Sequence, residues 1–127
     1  EFENDIRLLY KSLIPIEWKL TGIYGIPRGG LIASVLLSHR TGLPIIMDKN
    51  KITNKTLIID DIADSGETLK KLLKSIKKTR KEVTIATIWY YPGSKVIPDY
   101  YINLKESNWI IFPWETLLSS KVDNTKI

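Results

Sequence analysis

Apolar positions along the chain switch between two periods, and the switches mark the elements. Phe2, Ile6, Leu9, Leu13 and Ile14 recur every three or four residues, which predicts an amphipathic helix over the first dozen or so residues, ended by Pro15. Residues 20–26 change to the short apolar run of a core strand, and Pro27-Arg28-Gly29-Gly30 breaks it. Leu31, Ile32, Val35 and Leu36 return to helical spacing, with a stop near Gly42-Leu43-Pro44. A short second strand is expected at 43–47, a third at 55–60, a helix from 66 to about 78 and a fourth strand at 82–89. After the Pro92-Gly93 turn and Pro98 the pattern becomes irregular, with residues 100–103 offering a fifth strand. Strands alternating with helices in this order imply an α/β fold: a parallel, Rossmann-like sheet flanked by helices, with its ligand site at the carboxyl ends of the strands.

Composition narrows the picture only a little. At 127 residues, 43% hydrophobic and 26% charged, the whole chain (1–127) reads as a single globular domain. Apolar runs fall far short of the roughly 20 residues needed to span a membrane, and the N-terminus does not read as a signal peptide, so the cytoplasm is the default expectation. The absence of cysteine excludes disulfides, thiolate catalysis and Cys-based zinc sites. The net charge of +5 is concentrated in Lys70, Lys71, Lys74, Lys77, Lys78, Arg80 and Lys81. These fill the positions that Leu69, Leu72, Leu73 and Ile76 leave free, so they read as the solvated face of a helix rather than a nucleic-acid surface. A positive field of this kind also suits a polyanionic substrate. The sole histidine, His39, has no metal-ligand neighbours in the sequence and reads as a surface residue.

The chemistry is concentrated between Thr56 and Leu69. Leu57, Ile58 and Ile59 form the continuous apolar run of a strand buried on both faces, and the run ends in Asp60 and Asp61. Ala63-Asp64-Ser65-Gly66-Glu67-Thr68 then carries the chain into a helix N-terminus, where free N–H groups and the helix dipole favour a phosphate and the Ser65 and Thr68 hydroxyls add donors. Two carboxylates one step upstream suit sugar hydroxyls or a hydrated Mg²⁺. Together they imply a phosphorylated ribose. Receiver-like and phosphatase-like acidic strand ends share the acids but not the Ser-Gly-x-Thr turn, and no Gly-x4-Gly-Lys-Ser/Thr loop occurs.

This run resembles the phosphoribosylpyrophosphate (PRPP) signature of the type I phosphoribosyltransferases: three apolar residues, two acids, two variable residues, Asp-Ser-Gly, one variable residue and Thr. The resemblance implies that Asp60 and Asp61 hold the ribose and Mg²⁺, that residues 63–68 hold the 5′-phosphate, and that Asp64 is the catalytic base. N-capping of the following helix is the alternative for Asp64. Arg28, Gly29 and Gly30 resemble the family's pyrophosphate loop, in which a cis peptide, here Pro27–Arg28, aims backbone N–H groups at the ligand. Asn108-Trp109-Ile110-Ile111-Phe112-Pro113-Trp114-Glu115 is similar to the C-terminal hood of xanthine-guanine phosphoribosyltransferases. That hood is expected over about 92–116, with Trp109 stacking on the base and Ile110 meeting its edge. Tyr91 stands where purine enzymes of the family carry a base-contacting lysine, and Lys95 lies in the same loop.

The resemblance implies a Mg²⁺-dependent transferase acting on PRPP and a nucleobase, with a purine first and a pyrimidine as the alternative suggested by Tyr91. Only about seven residues, 48–54, stand where relatives place a long loop that closes over PRPP. The short connection leaves open a non-catalytic PRPP- or nucleotide-binding regulatory domain. If the chain is catalytic, a homodimer is expected to complete the shielding, with the N-terminal helix and the aromatic tail as contact surfaces and some PRPP diverted to hydrolysis.

Overall fold

A computed structural model describes residues 1–105. Within them α1 (Phe2–Leu13) runs into a 3-10 stretch (Ile14–Lys19), followed by β1 (Gly22–Gly25), α2 (Gly29–Thr41), β2 (Thr56–Ala63), α3 (Glu67–Ser75), β3 (Thr84–Tyr90) and β4 (Tyr100–Leu104). The four strands form one wholly parallel sheet in the order β1-β2-β3-β4.

Alternation along the central strands divides the core into two layers. Leu57 and Ile59 of β2, with Ala86 and Ile88 of β3, face a cluster closed by Ile6, Leu9 and Leu13 of α1 and by Ala33 and Leu37 of α2. Ile58 and Ile85 point the other way, toward Leu69 and Leu73 of α3. A strand with helices on both sides must be apolar at every position, which is why Leu57, Ile58 and Ile59 are all fully buried. The apolar stripe of α1 is used within the chain's own core. Leu8 and, just past the helix, Ile14 remain exposed apolar positions of this segment.

Several element boundaries depart from the sequence pattern, two of them near the site. The strand expected at 43–47 contracts to one parallel bridge, Ile45 to Ile23, held by Ile23 N–H donating to the Pro44 carbonyl (2.9 Å) and Ile46 N–H to the Ile23 carbonyl (2.7 Å). The strand expected to stop at Asp60 continues to Ala63, because β3 offers partners as far as Tyr90.

The chain leaves β1 through α2, touches the far side of β1 at Ile45, and then crosses to β2 on the near side. That reversal opens a crevice beyond the carboxyl ends of β1 and β2, the usual ligand position in open α/β sheets. The 48–54 connection is short and anchored: Asp48 accepts a bond from Asn50 N–H (2.9 Å), and Ile52 is buried against the α3 side of the core.

Candidate active site

Three segments meet in the crevice because three elements end there. The loop after β1 delivers Pro27, Arg28 and Gly29; the end of β2 delivers residues 60–63; the turn and the start of α3 deliver residues 64–66, Thr68 and Leu69. Together they line a cavity of about 250 Å³.

The acidic pair occupies alternate faces of β2, as consecutive strand residues must. Asp60 follows the direction of Ile58, and Asp61 turns toward α2, where its carboxylate lies against Gly29. Each carboxylate accepts a bond from the next backbone N–H, Asp60 from Asp61 and Asp61 from Ile62, both at 2.8 Å. Burial pushes the Asp61 carboxyl above the ordinary aspartate range, while hydrogen bonds to Asp60 and to backbone N–H groups pull it back. A buried acid and a half-buried one beside an open cavity fit a divalent cation that takes the rest of its ligands from water and phosphate oxygens. Among the described residues no group of three or more acidic or histidine side chains forms a self-sufficient metal cage.

Glycine is required in this site by close approach as much as by conformation. A Cβ on Gly30 would press on the Ile59 carbonyl and stand 3.0 Å from Asp60 Cα, so Gly30 lets α2 pack onto the end of β2 and does not itself line the cavity. Gly66 has φ +85°, and a Cβ there would lie 2.7 Å from the backbone nitrogens of Lys95 and Val96. Glycine at 66 thus lets the chain itself approach, and Lys95 N–H donates to the Ser65 carbonyl (2.9 Å). Ser65 Oγ accepts from Glu67 N–H at 3.3 Å, and the Pro27–Arg28 peptide is cis, as anticipated.

Asp64 does not cap α3. The N-cap is Gly66, and Asp64 instead accepts a bond from Lys105 Nζ, 3.0 Å away. Lys105 is 7% exposed and immediately follows β4, where its N–H donates to the Tyr90 carbonyl (2.8 Å). The sequence motifs did not single it out. A lysine directly after a strand pattern arrives at the carboxyl edge of the sheet, and that position was the available signal.

Lys95 is engaged elsewhere, paired with Glu67, whose carboxyl is held below its ordinary range first by that hydrogen bond. Tyr91 lies at the end of β3 against Gly93, is exposed, and does not line the cavity. Glu67 and Gly30 likewise stand outside the lining, whereas Arg28, Gly29, Asp60, Asp61, Ala63, Asp64, Ser65, Gly66 and Thr68 are brought together. Trp109 and Ile110 lie outside the described residues.

Comparison with known proteins shows the family and the fold. Residues 33–121 match the phosphoribosyl transferase domain family. The chain is 28% identical over 133 residues to a xanthine-guanine phosphoribosyltransferase of Vibrio atlanticus (strain LGP32), covering 89% of this chain and 83% of the relative. It is similar to the crystal structure of a purine phosphoribosyltransferase from Pyrococcus horikoshii Ot3, with TM-score 0.71 and 32% identity over 87% of this chain and 86% of that one. A Helicobacter pylori xanthine-guanine-hypoxanthine phosphoribosyltransferase shares the fold at TM-score 0.72 and 22% identity, covering 95% and 93% of the two chains.

Proposed function

Because the chain belongs to the phosphoribosyl transferase domain family, we propose that it transfers the 5-phosphoribosyl group of PRPP to a nucleobase, a purine in first place, yielding a nucleoside 5′-monophosphate and pyrophosphate. The observation that carries the reading is the shared cavity, in which an acidic pair, a phosphate-sized turn and the Arg28 loop stand at one sheet edge. The names of the Vibrio and Pyrococcus relatives support a purine as acceptor.

In this reading Asp60 and Asp61 would hold the ribose hydroxyls and a Mg²⁺ ion. Residues 63–68 would hold the 5′-phosphate through backbone N–H groups and the Ser65 and Thr68 hydroxyls. Arg28 and the backbone at Gly29 would receive pyrophosphate, with Gly30 securing the loop from behind. Bound Mg²⁺ would supply charge neutralisation to the departing pyrophosphate. As the base nitrogen forms its bond to ribose C1, the C1–O bond breaks and its electron pair leaves with pyrophosphate. Asp64 would take the proton that the nitrogen gives up. Trp109, Ile110 and Tyr91 remain the proposed base contacts, and a homodimer and a cytoplasmic location belong to the same proposal.

The anchored 48–54 connection favours a second reading, a domain that binds PRPP without turnover, because Ile52 ties down the segment that would otherwise be free to cover the site. One experiment separates the two. The chain is incubated with PRPP, Mg²⁺ and each of guanine, xanthine, hypoxanthine, adenine, uracil and orotate, and nucleotide and pyrophosphate are quantified. Formation of a purine nucleotide, abolished in a folded Asp60→Asn/Asp61→Asn variant, is expected. PRPP binding without base-dependent pyrophosphate release would establish the second reading.

A further inference from the structure

The Lys105–Asp64 pair is unlike the other ion pairs among the described residues. Side chains of Lys95 and Glu67 are 57% and 45% exposed, and those of Arg80 and Asp99 are 32% and 41%; in the third pair Asp64 is likewise 41% exposed, but the Lys105 side chain is only 8% exposed. Withdrawing an ammonium from water is unfavourable, and a carboxylate that is itself partly exposed and solvent-screened offsets only part of that penalty. Stability therefore gives little reason for a lysine here. β4 is already held to β3 by its backbone ladder, so the pair is not needed to secure the strand either.

What the pair does do is geometric. Asp64 has no capping role, it lines the cavity, and a side chain 41 residues later grips one of its two carboxylate oxygens from within the protein. Oδ2 is thus held by Lys105 in a residue that lines the cavity and whose side chain is 41% exposed. Since Lys105 is itself fixed through the Tyr90 carbonyl, the ends of β3 and β4 set where the Asp64 carboxylate stands relative to the 63–68 turn.

We propose that Lys105 is a positioning residue for phosphoribosyl transfer, holding the Asp64 carboxylate at the acceptor end of the cavity so that it can receive the proton of the incoming base. The inference rests on the reading of Asp64 given above and adds to it a residue from β4. Lys105 acts through the Asp64 carboxylate, so removing it slows the chemical step and spares PRPP binding, whose proposed contacts are Arg28, Asp60, Asp61 and the backbone N–H groups and hydroxyls of the 63–68 turn.

The test uses the full chain with Mg²⁺, PRPP and the base it uses best, and compares the parent with Lys105→Met, Lys105→Arg, Asp64→Asn and the Asp64→Asn/Lys105→Met double variant. Lys105→Met is expected to lower kcat about 10- to 100-fold while leaving KM for PRPP within about twofold. Lys105→Arg should restore part of the loss, and the double variant should be no slower than Asp64→Asn alone. Should Lys105→Met melt below the assay temperature, Lys105→Gln carries the same comparison. Unchanged kcat in folded Lys105 variants, or losses that simply multiply in the double variant, would overturn the inference. Absence of turnover by the parent with every base would overturn both it and the reading beneath it.

Discussion

Asp61 is a carboxyl whose surroundings oppose its charge. Burial raises its proton affinity in the folded chain above that in the unfolded one, so the folded state is favoured when Asp61 is protonated and loses that advantage as pH rises through the raised value. Asparagine, neutral throughout, should therefore make the ligand-free protein more stable than the parent at pH 8. The difference should shrink as pH falls toward the ordinary carboxylate value of about 4. Urea denaturation at a series of pH values measures this, and a gain that does not depend on pH would assign it to packing instead. Gly66 is constrained in the opposite direction. Its left-handed backbone disfavours any side chain by about 1–2 kcal/mol, and the nearby nitrogens of Lys95 and Val96 leave no room for one. Gly66→Ala should lower stability by at least that amount in the same assay and loosen the loop that Lys95 N–H ties to Ser65.

At the scale of elements, α3 stops sooner than its lysine pattern implies. Ile76 ends it, Lys77 turns left-handed at φ +57°, Lys78 N–H reaches back to the Leu73 carbonyl (3.0 Å) and Lys77 N–H to that of Lys74 (3.2 Å). This is a Schellman ending with lysine where glycine is preferred. Lys77→Gly should consequently stabilise the protein by about 0.5–1 kcal/mol, seen as a higher urea midpoint at unchanged slope. A lower midpoint would mean that the lysine side chain contributes more than its backbone strain removes. The amphipathic face itself was legible, since Leu69 and Leu73 are buried and Lys70, Lys71 and Lys74 are exposed. The ends of β2 and of the 43–47 segment were not, because pairing extends only as far as a neighbouring strand supplies partners, and no local pattern records the neighbour's length.

The whole molecule couples its site to its fold, because the cavity exists only when β1, β2 and the turn into α3 are in register. A ligand that binds this assembled edge and not the unfolded chain must stabilise it. PRPP with Mg²⁺ at about a hundred times its dissociation constant should add about 2.7 kcal/mol. Thermal unfolding should shift upward by several degrees in the parent and not at all in Asp60→Asn/Asp61→Asn; an equal shift in both would place the ligand outside the acidic pair.

Residues 56–69 carried the candidate site because its parts are local: a buried strand, two acids and a tight turn into a helix are consecutive in the chain, and their order is legible without the fold. The α/β class was legible for the same reason, since period and punctuation are properties of neighbouring residues. The Lys105 grip on Asp64, the backbone of residues 95 and 96 against Gly66, and the single bridge at Ile45 join positions far apart in sequence. Such contacts leave no periodic mark, so only the packed sheet, which brings distant strand ends to one edge, decided them.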